Sequence, residues 1–213
     1  MSARTLEWAL EMISVPEVEY CQISSNIRAT SLKINTWVRD IVADALPQEV
    51  GFYSPEFADL RKAVAKVVTF NIECKTQIHK VYHLTTSDYL TALLYYDIST
   101  RFLHNPYFFL QDAGGDGTPE LSASFRALYE DRVKDDSISA STWRSELYRD
   151  LDPDITIPLL NSLATKHAHE FMNGPARKLM CSGKIGKNGD ELERRLEAIY
   201  DQMLAVAYNL QGL

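Results

Sequence analysis

The chain has 213 residues, 46% of them hydrophobic, and a formal net charge of −7. That length and apolar content suffice for one full core, so a single domain over 1–213 is expected. The negative balance disfavours a general affinity for phosphate backbones, and no run approaches the roughly 18 apolar residues of a membrane span.

Three cysteines, Cys21, Cys74 and Cys181, lie far apart. They form no CxxC pair and no disulfide framework, which fits reduced, buried thiols in a soluble cytoplasmic protein. The first segment, from Ser2 to about Ile13, is apolar on more than one face but holds Glu7 and Glu11, unlike a secretory leader.

From Glu17 to Leu46, Ile27, Ile34, Val38, Ile41, Val42 and Ala45 recur at helical spacing. The hydroxyl residues Ser24, Ser25, Thr30 and Ser31 predict a break near residue 30, and Pro47 ends the helix. Ser54 to His83 reads as one long amphipathic helix, with Ser54 as cap, Pro55 at the first position and Glu56 and Asp59 near the positive end of the dipole. Phe57, Leu60, Val64, Val67, Val68, Ile72, Ile78, Val81 and Tyr82 form its stripe, and at about 1.5 Å per residue it would be roughly 40 Å long. The remaining helices are expected to pack around it.

Thr85, Thr86 and Ser87 supply a cap for a helix from Asp88 to about His104, broken by Asn105-Pro106. A short helical piece over 107–110 and a loop over Asp112–Gly117 follow. Pro119 opens a helix to about Lys134, Ser141 a short one, and Asp152-Pro153 one that runs to about Met172 and stops at Asn173-Gly174-Pro175. Residues 174–189, with four glycines, read as a loop, and Asp190 caps a last helix with the stripe Leu192, Leu196, Ile199, Tyr200, Met203, Val206, Ala207 and Leu210. The expected fold is all-α, a single-domain bundle of about seven to nine helices, without strands.

Four constellations have residue types suited to chemistry. His79 and His83 stand one turn apart on the long helix, and His167 and Glu170 stand three apart on a later one, which is how facing helices build a metal or ligand site. No HExxH occurs. The better-supported reading of His83, His104, His167 and His169 is as imidazolium groups near helix C-termini. Asp112 to Gly117 resembles the start of a calcium loop but lacks the bidentate Glu at its twelfth position. The glycine-rich Gly183–Gly189 lacks the spacing of a phosphate loop, although Lys184, Lys187, Arg194 and Arg195, with Arg177 and Lys178, make 174–195 locally basic, a candidate anion or RNA contact. Residues 112–154 hold eleven acids against five bases.

Eight of the chain's nineteen Phe and Tyr residues lie between Tyr82 and Leu110. Adjacent aromatics point about 100° apart on a helix, so one of Phe108 and Phe109 is expected to leave the core and, with Tyr107, to meet a partner. The favoured function is therefore a non-enzymatic interaction or assembly protein, of the kind that self-associates as a subunit of a viral or phage complex, with no cofactor. The alternative is a helical enzyme or binding protein holding a ligand or metal in a Tyr/His-lined pocket.

Overall fold

The computed structural model describes residues 17–43, 54–67, 85–110 and 119–212. They form an all-α bundle whose seven α-helices are α1 (Glu17–Ile41), α2 (Ala58–Val67), α3 (Thr86–Ile98), α4 (Pro119–Asp135), α5 (Ser137–Asp150), α6 (Pro153–Asn173) and α7 (Ser182–Gly212). Among the described residues no helix is long and apolar enough to cross a membrane.

α1 runs without the break expected near residue 30. Thr30 is buried, and its hydroxyl donates to the Asn26 carbonyl one turn back at 2.8 Å, so the competing side chain is absorbed by the helix itself. Ser54 occupies the cap position before the 3-10 turn Pro55–Phe57, but its hydroxyl pairs with Glu56 rather than with a backbone amide. α2 then buries Leu60 and Val64. Ile72, His79, His83 and the rest of the expected long helix beyond Val67 lie outside the described residues.

α3 starts on a reciprocal capping box: the Asp88 amide donates to Thr85 Oγ1, and the Thr85 amide donates to Asp88 Oδ2 at 2.7 Å. It ends in a π turn, Ser99–Leu103, in which the His104 amide reaches back five residues to the Ser99 carbonyl. α5 starts four residues earlier than Ser141, because the Asp136 carboxylate accepts from the amides of Ile138 and Ser139. α6 is capped by Asp152 and carries Pro158 within its length.

Residues 174–189 are not the loop their glycines suggest. Pro175–Leu179 is a 3-10 turn, and α7 already begins at Ser182, with non-helical dihedrals at Asn188 marking a kink just before Asp190. The buried Leu179 and Met180 anchor the segment to the core. Met180 also forms an isolated bridge with Val42, flanked by Ala43 N–H to Leu179 O at 3.0 Å and Cys181 N–H to Ile41 O at 2.8 Å.

Among the described residues the most extensive contacts belong to α7, which lies along α6, α1 and α5. Its expected stripe from Leu192 to Ala207 is buried, with Leu210 only partly so. Trp37 of α1 is fully buried and donates its indole N–H to the Leu192 carbonyl at 2.8 Å. Lys33 with Gln202 and Asp40 with Arg195 extend that seam.

Phe108 and Phe109 are 1% and 2% exposed, so neither looks away from the core as expected, and Tyr107 is also buried. The 3-10 turn Phe108–Leu110 lies between α4 and α6 rather than on the surface. Phe108 meets Phe102 edge-on, while Phe109 meets Tyr148 and Tyr208. Tyr107 packs among Phe125, Tyr129 and Trp143. Two neighbouring rings that diverge can both be core when the chain passes through the interior, which a surface-helix argument overlooks. The thiols also differ from expectation: Cys21 is exposed and Cys181 half-buried, both free, while Cys74 lies outside the described residues.

Candidate ligand cleft

α2, the last turn of α3, the π turn and the end of α6 converge on a cleft of about 220 Å³. Its apolar lining comes from Ala63, Leu93, Phe171, Pro175 and Ala176, and its polar lining from Lys66, Tyr96, Asp97, Arg101 and Glu170. Gly174 closes one side. A Cβ there would stand 2.9 Å from the Glu170 carbonyl oxygen, so the backbone turns tightly under the charged cluster.

Arg101, on the π turn, is the centre of the polar groups. Its Nε donates to Asp97 Oδ1 at 2.9 Å, and its Nη1 lies 2.8 Å from Glu170 Oε2 and 2.7 Å from His167 Nδ1. The other Asp97 oxygen accepts from the Tyr200 hydroxyl at 2.6 Å. Four elements, α3, the π turn, α6 and α7, thus meet in one network. Phe102 covers its inner side, with ring centroids 5.4 Å from His167 and 5.9 Å from Tyr200.

The network sets the protonation states. A guanidinium has no acceptor, so the His167 Nδ1 facing Arg101 must carry a lone pair, and the ring is neutral with its proton on Nε2. Burial, and then the Arg101 charge, hold the His167 pKa below its ordinary value, against the pull of Glu170. This overturns the reading of His167 as an imidazolium at a helix C-terminus: it is buried and faces a cation. Burial would raise the Glu170 pKa, but the Arg101 guanidinium, through its charge and its hydrogen bond to the carboxylate, outweighs that and holds it low. Burial also works against the Arg101 charge, yet Asp97 more than offsets it and the pKa is raised. The fully buried Tyr200 is pushed well above the ordinary phenol by desolvation and then by Asp97.

His167 and Glu170, paired in sequence, are therefore brought together, but the Arg101 guanidinium bridges them where a metal would have to sit. Among the described residues no group of three His, Cys, Asp or Glu side chains could hold a metal ion. The proposed partners His79 and His83 lie outside the described residues, as does the calcium-like 112–117. His169 is exposed and pairs with Glu193, and His104 donates from Nδ1 to the Ser99 carbonyl. Sequence reasoning missed Arg101, Asp97, Tyr200 and Lys66. Only the i, i+4 spacing of Asp97 and Arg101 signalled any of this.

The basic segment is largely engaged within the fold. Arg177 donates to Asn173, Lys178 lies over the Phe57 ring, and Lys184 donates to the Val42 carbonyl. Arg194 pairs with Glu191, and Arg195 pairs with Asp40. Lys187 is exposed beside the Asn188 kink. The glycine-rich residues before it are already helical, so their amides do not form an anion cradle.

Compared with protein-family models, with curated proteins and with solved structures, the chain has no match in any of the three.

Proposed function

We propose that the protein is a helical binding protein that takes a small ligand in the cleft beside Arg101. The carrying observation is the coincidence of three features: a concave surface with an apolar floor, a charged cluster at its edge, and a π turn that places the central charge. Short π segments recur at functional sites, and pockets with a few convergent polar groups and shifted titrations are where ligands bind. The polar groups are committed to one another, so the reading is binding and selection rather than covalent chemistry. The test is a fragment screen by amide NMR on the full chain. Shifts confined to the amides of 63–66, 93–101 and 170–176, reduced in Arg101→Met, support the reading. A diverse library that leaves those amides unmoved overturns it.

The second reading is an assembly protein that self-associates or docks a protein partner. The buried aromatics no longer support it, but a different surface does. α4 packs mainly on α5 and the Phe108–Leu110 turn, leaving Leu128 and Val133 exposed, and Ile138 at the hairpin tip is 77% exposed. Apolar side chains among charges of both signs are how interface centres are built. Light scattering that reports a strict monomer across concentration and salt would count against it.

A further inference from the structure

We infer that α4 is a strap that opens from the bundle as a unit, hinging at Asp136, and that two stranded polar groups beneath it favour the open form. The way α4 is attached carries this. Among the described residues α4 packs on α5 and on the Phe108–Leu110 turn, with no comparable contact to α1, α3, α6 or α7. From 122 to 135 Ser122 is buried, Phe125 and Tyr129 are half-buried, and every other residue is exposed. Asp136 is the one residue between α4 and α5, and its backbone is extended rather than helical.

The latch is short. Ser122 Oγ donates to the Tyr107 carbonyl at 3.0 Å and accepts from Asn105 Nδ2 at 3.2 Å. Phe125 stacks on Trp143 with the rings 6° from parallel, and Phe125 and Tyr129 pack on Tyr107. Arg144 lies over the Tyr129 ring and adds one long bond, from Nη1 to the Tyr129 hydroxyl at 3.3 Å.

Under that latch lie the Tyr107 hydroxyl and Arg144 Nε, the two buried side-chain polar atoms without a hydrogen-bond partner among the described residues. A buried donor left unpaired is destabilising, and solvent satisfies it once it is exposed. Burial raises the Tyr107 pKa to about 12, so the hydroxyl keeps its proton and remains a donor. Closing the strap therefore carries a penalty that opening removes, and the described seam of α7 with α1 and α6 carries none of this kind. Opening also bares the packed faces of Tyr107 and Trp143, which Phe125 covers in the closed bundle.

Native-state hydrogen exchange on the full chain at low urea tests this. The amides of 124–134 should share one opening equilibrium, more populated than the global unfolding that exposes the α6 and α7 core amides. Ile34→Val trims a buried side chain of α1, so it should speed exchange of the α7 core amides by about threefold or more and leave 124–134 unchanged. Tyr107→Phe keeps the ring and removes the stranded hydroxyl, so exchange at 124–134 should slow by about tenfold. Ser122→Ala removes the latch and should speed it by a similar factor. Amides of 124–134 that exchange only with the α7 core, and follow it in Ile34→Val, overturn the strap. Protection that instead grades along α4 from one end shows fraying and overturns the opening as a unit. Exchange at 124–134 that is unchanged or faster in Tyr107→Phe overturns the role of the stranded group.

Discussion

The Tyr200 hydroxyl donates to Asp97 Oδ2 at 2.6 Å, joining residues 103 apart in the chain. Tyr200 is fully buried on α7, and Asp97 lies in the last turn of α3. This bond orients the carboxylate whose other oxygen holds Arg101. Tyr200→Phe keeps the ring but strands that oxygen, and should cost about 1.5–3 kcal/mol, the range for hydrogen bonds to charged groups. Urea unfolding measures the loss. A variant as stable as wild type would mean that the bond contributes nothing net.

Acid should destabilise the fold through His167. Its folded pKa lies below the ordinary 6.5, so as pH falls through about 6.5 the unfolded chain takes up a proton that the folded chain refuses. Stability from this group is complete above 6.5 and is lost as pH drops toward the folded value. Glu170, held below its ordinary 4.5, has the same sign but acts lower, its contribution lost as pH falls below that value. The groups facing His167 are Arg101, Glu170, Asp97 and the rings of Phe102 and Tyr200. Between about pH 7.5 and 5.5 the urea midpoint of wild type should fall more steeply than that of His167→Gln. Equal slopes would assign the loss elsewhere.

Phe108→Ala and Phe109→Ala should each cost about 3–5 kcal/mol, because both rings are enclosed and deletion leaves a cavity. Against a typical total of about 5–15 kcal/mol, either change brings the fold near its limit. Thermal melts of the single variants decide this, with sedimentation as the control for association. A change in association at unchanged melting temperature would put the rings at an interface.

Gly186→Ala should stabilise. Gly186 lies within α7, and a Cβ there meets nothing within 4 Å. Alanine in a helix interior gains up to about 1 kcal/mol over glycine. A lower melting temperature would show that the turn before Asn188 needs glycine.

What could be read from the sequence was local. The Asp152-Pro153 start, the Thr85 cap and the Leu192–Ala207 stripe are one-dimensional patterns, and each appears as an element or a buried face. Asp136 was obscured because Ser141 and Thr142 also resemble caps, and only the bonds to Ile138 and Ser139 separate them. Glycines made 174–189 look open, whereas Leu179 and Met180 close it through contacts with Ile41, Val42 and Ala43, far away in sequence. The cleft was legible only as His167 and Glu170. Arg101 is 66 residues from His167, and no periodicity links two such positions.

The seam between α1 and α7 also bears on how the chain is made. Trp37 and its acceptor, the Leu192 carbonyl, are 155 residues apart. At about 5–20 residues per second, the ribosome needs on the order of ten seconds or more to deliver the second after the first. During that interval Ile34, Trp37, Val38 and Ile41 have emerged without their principal cover. The nascent protein therefore presents a sticky apolar ridge early and resolves it late, and holding chaperones should occupy α1 until α7 leaves the exit tunnel.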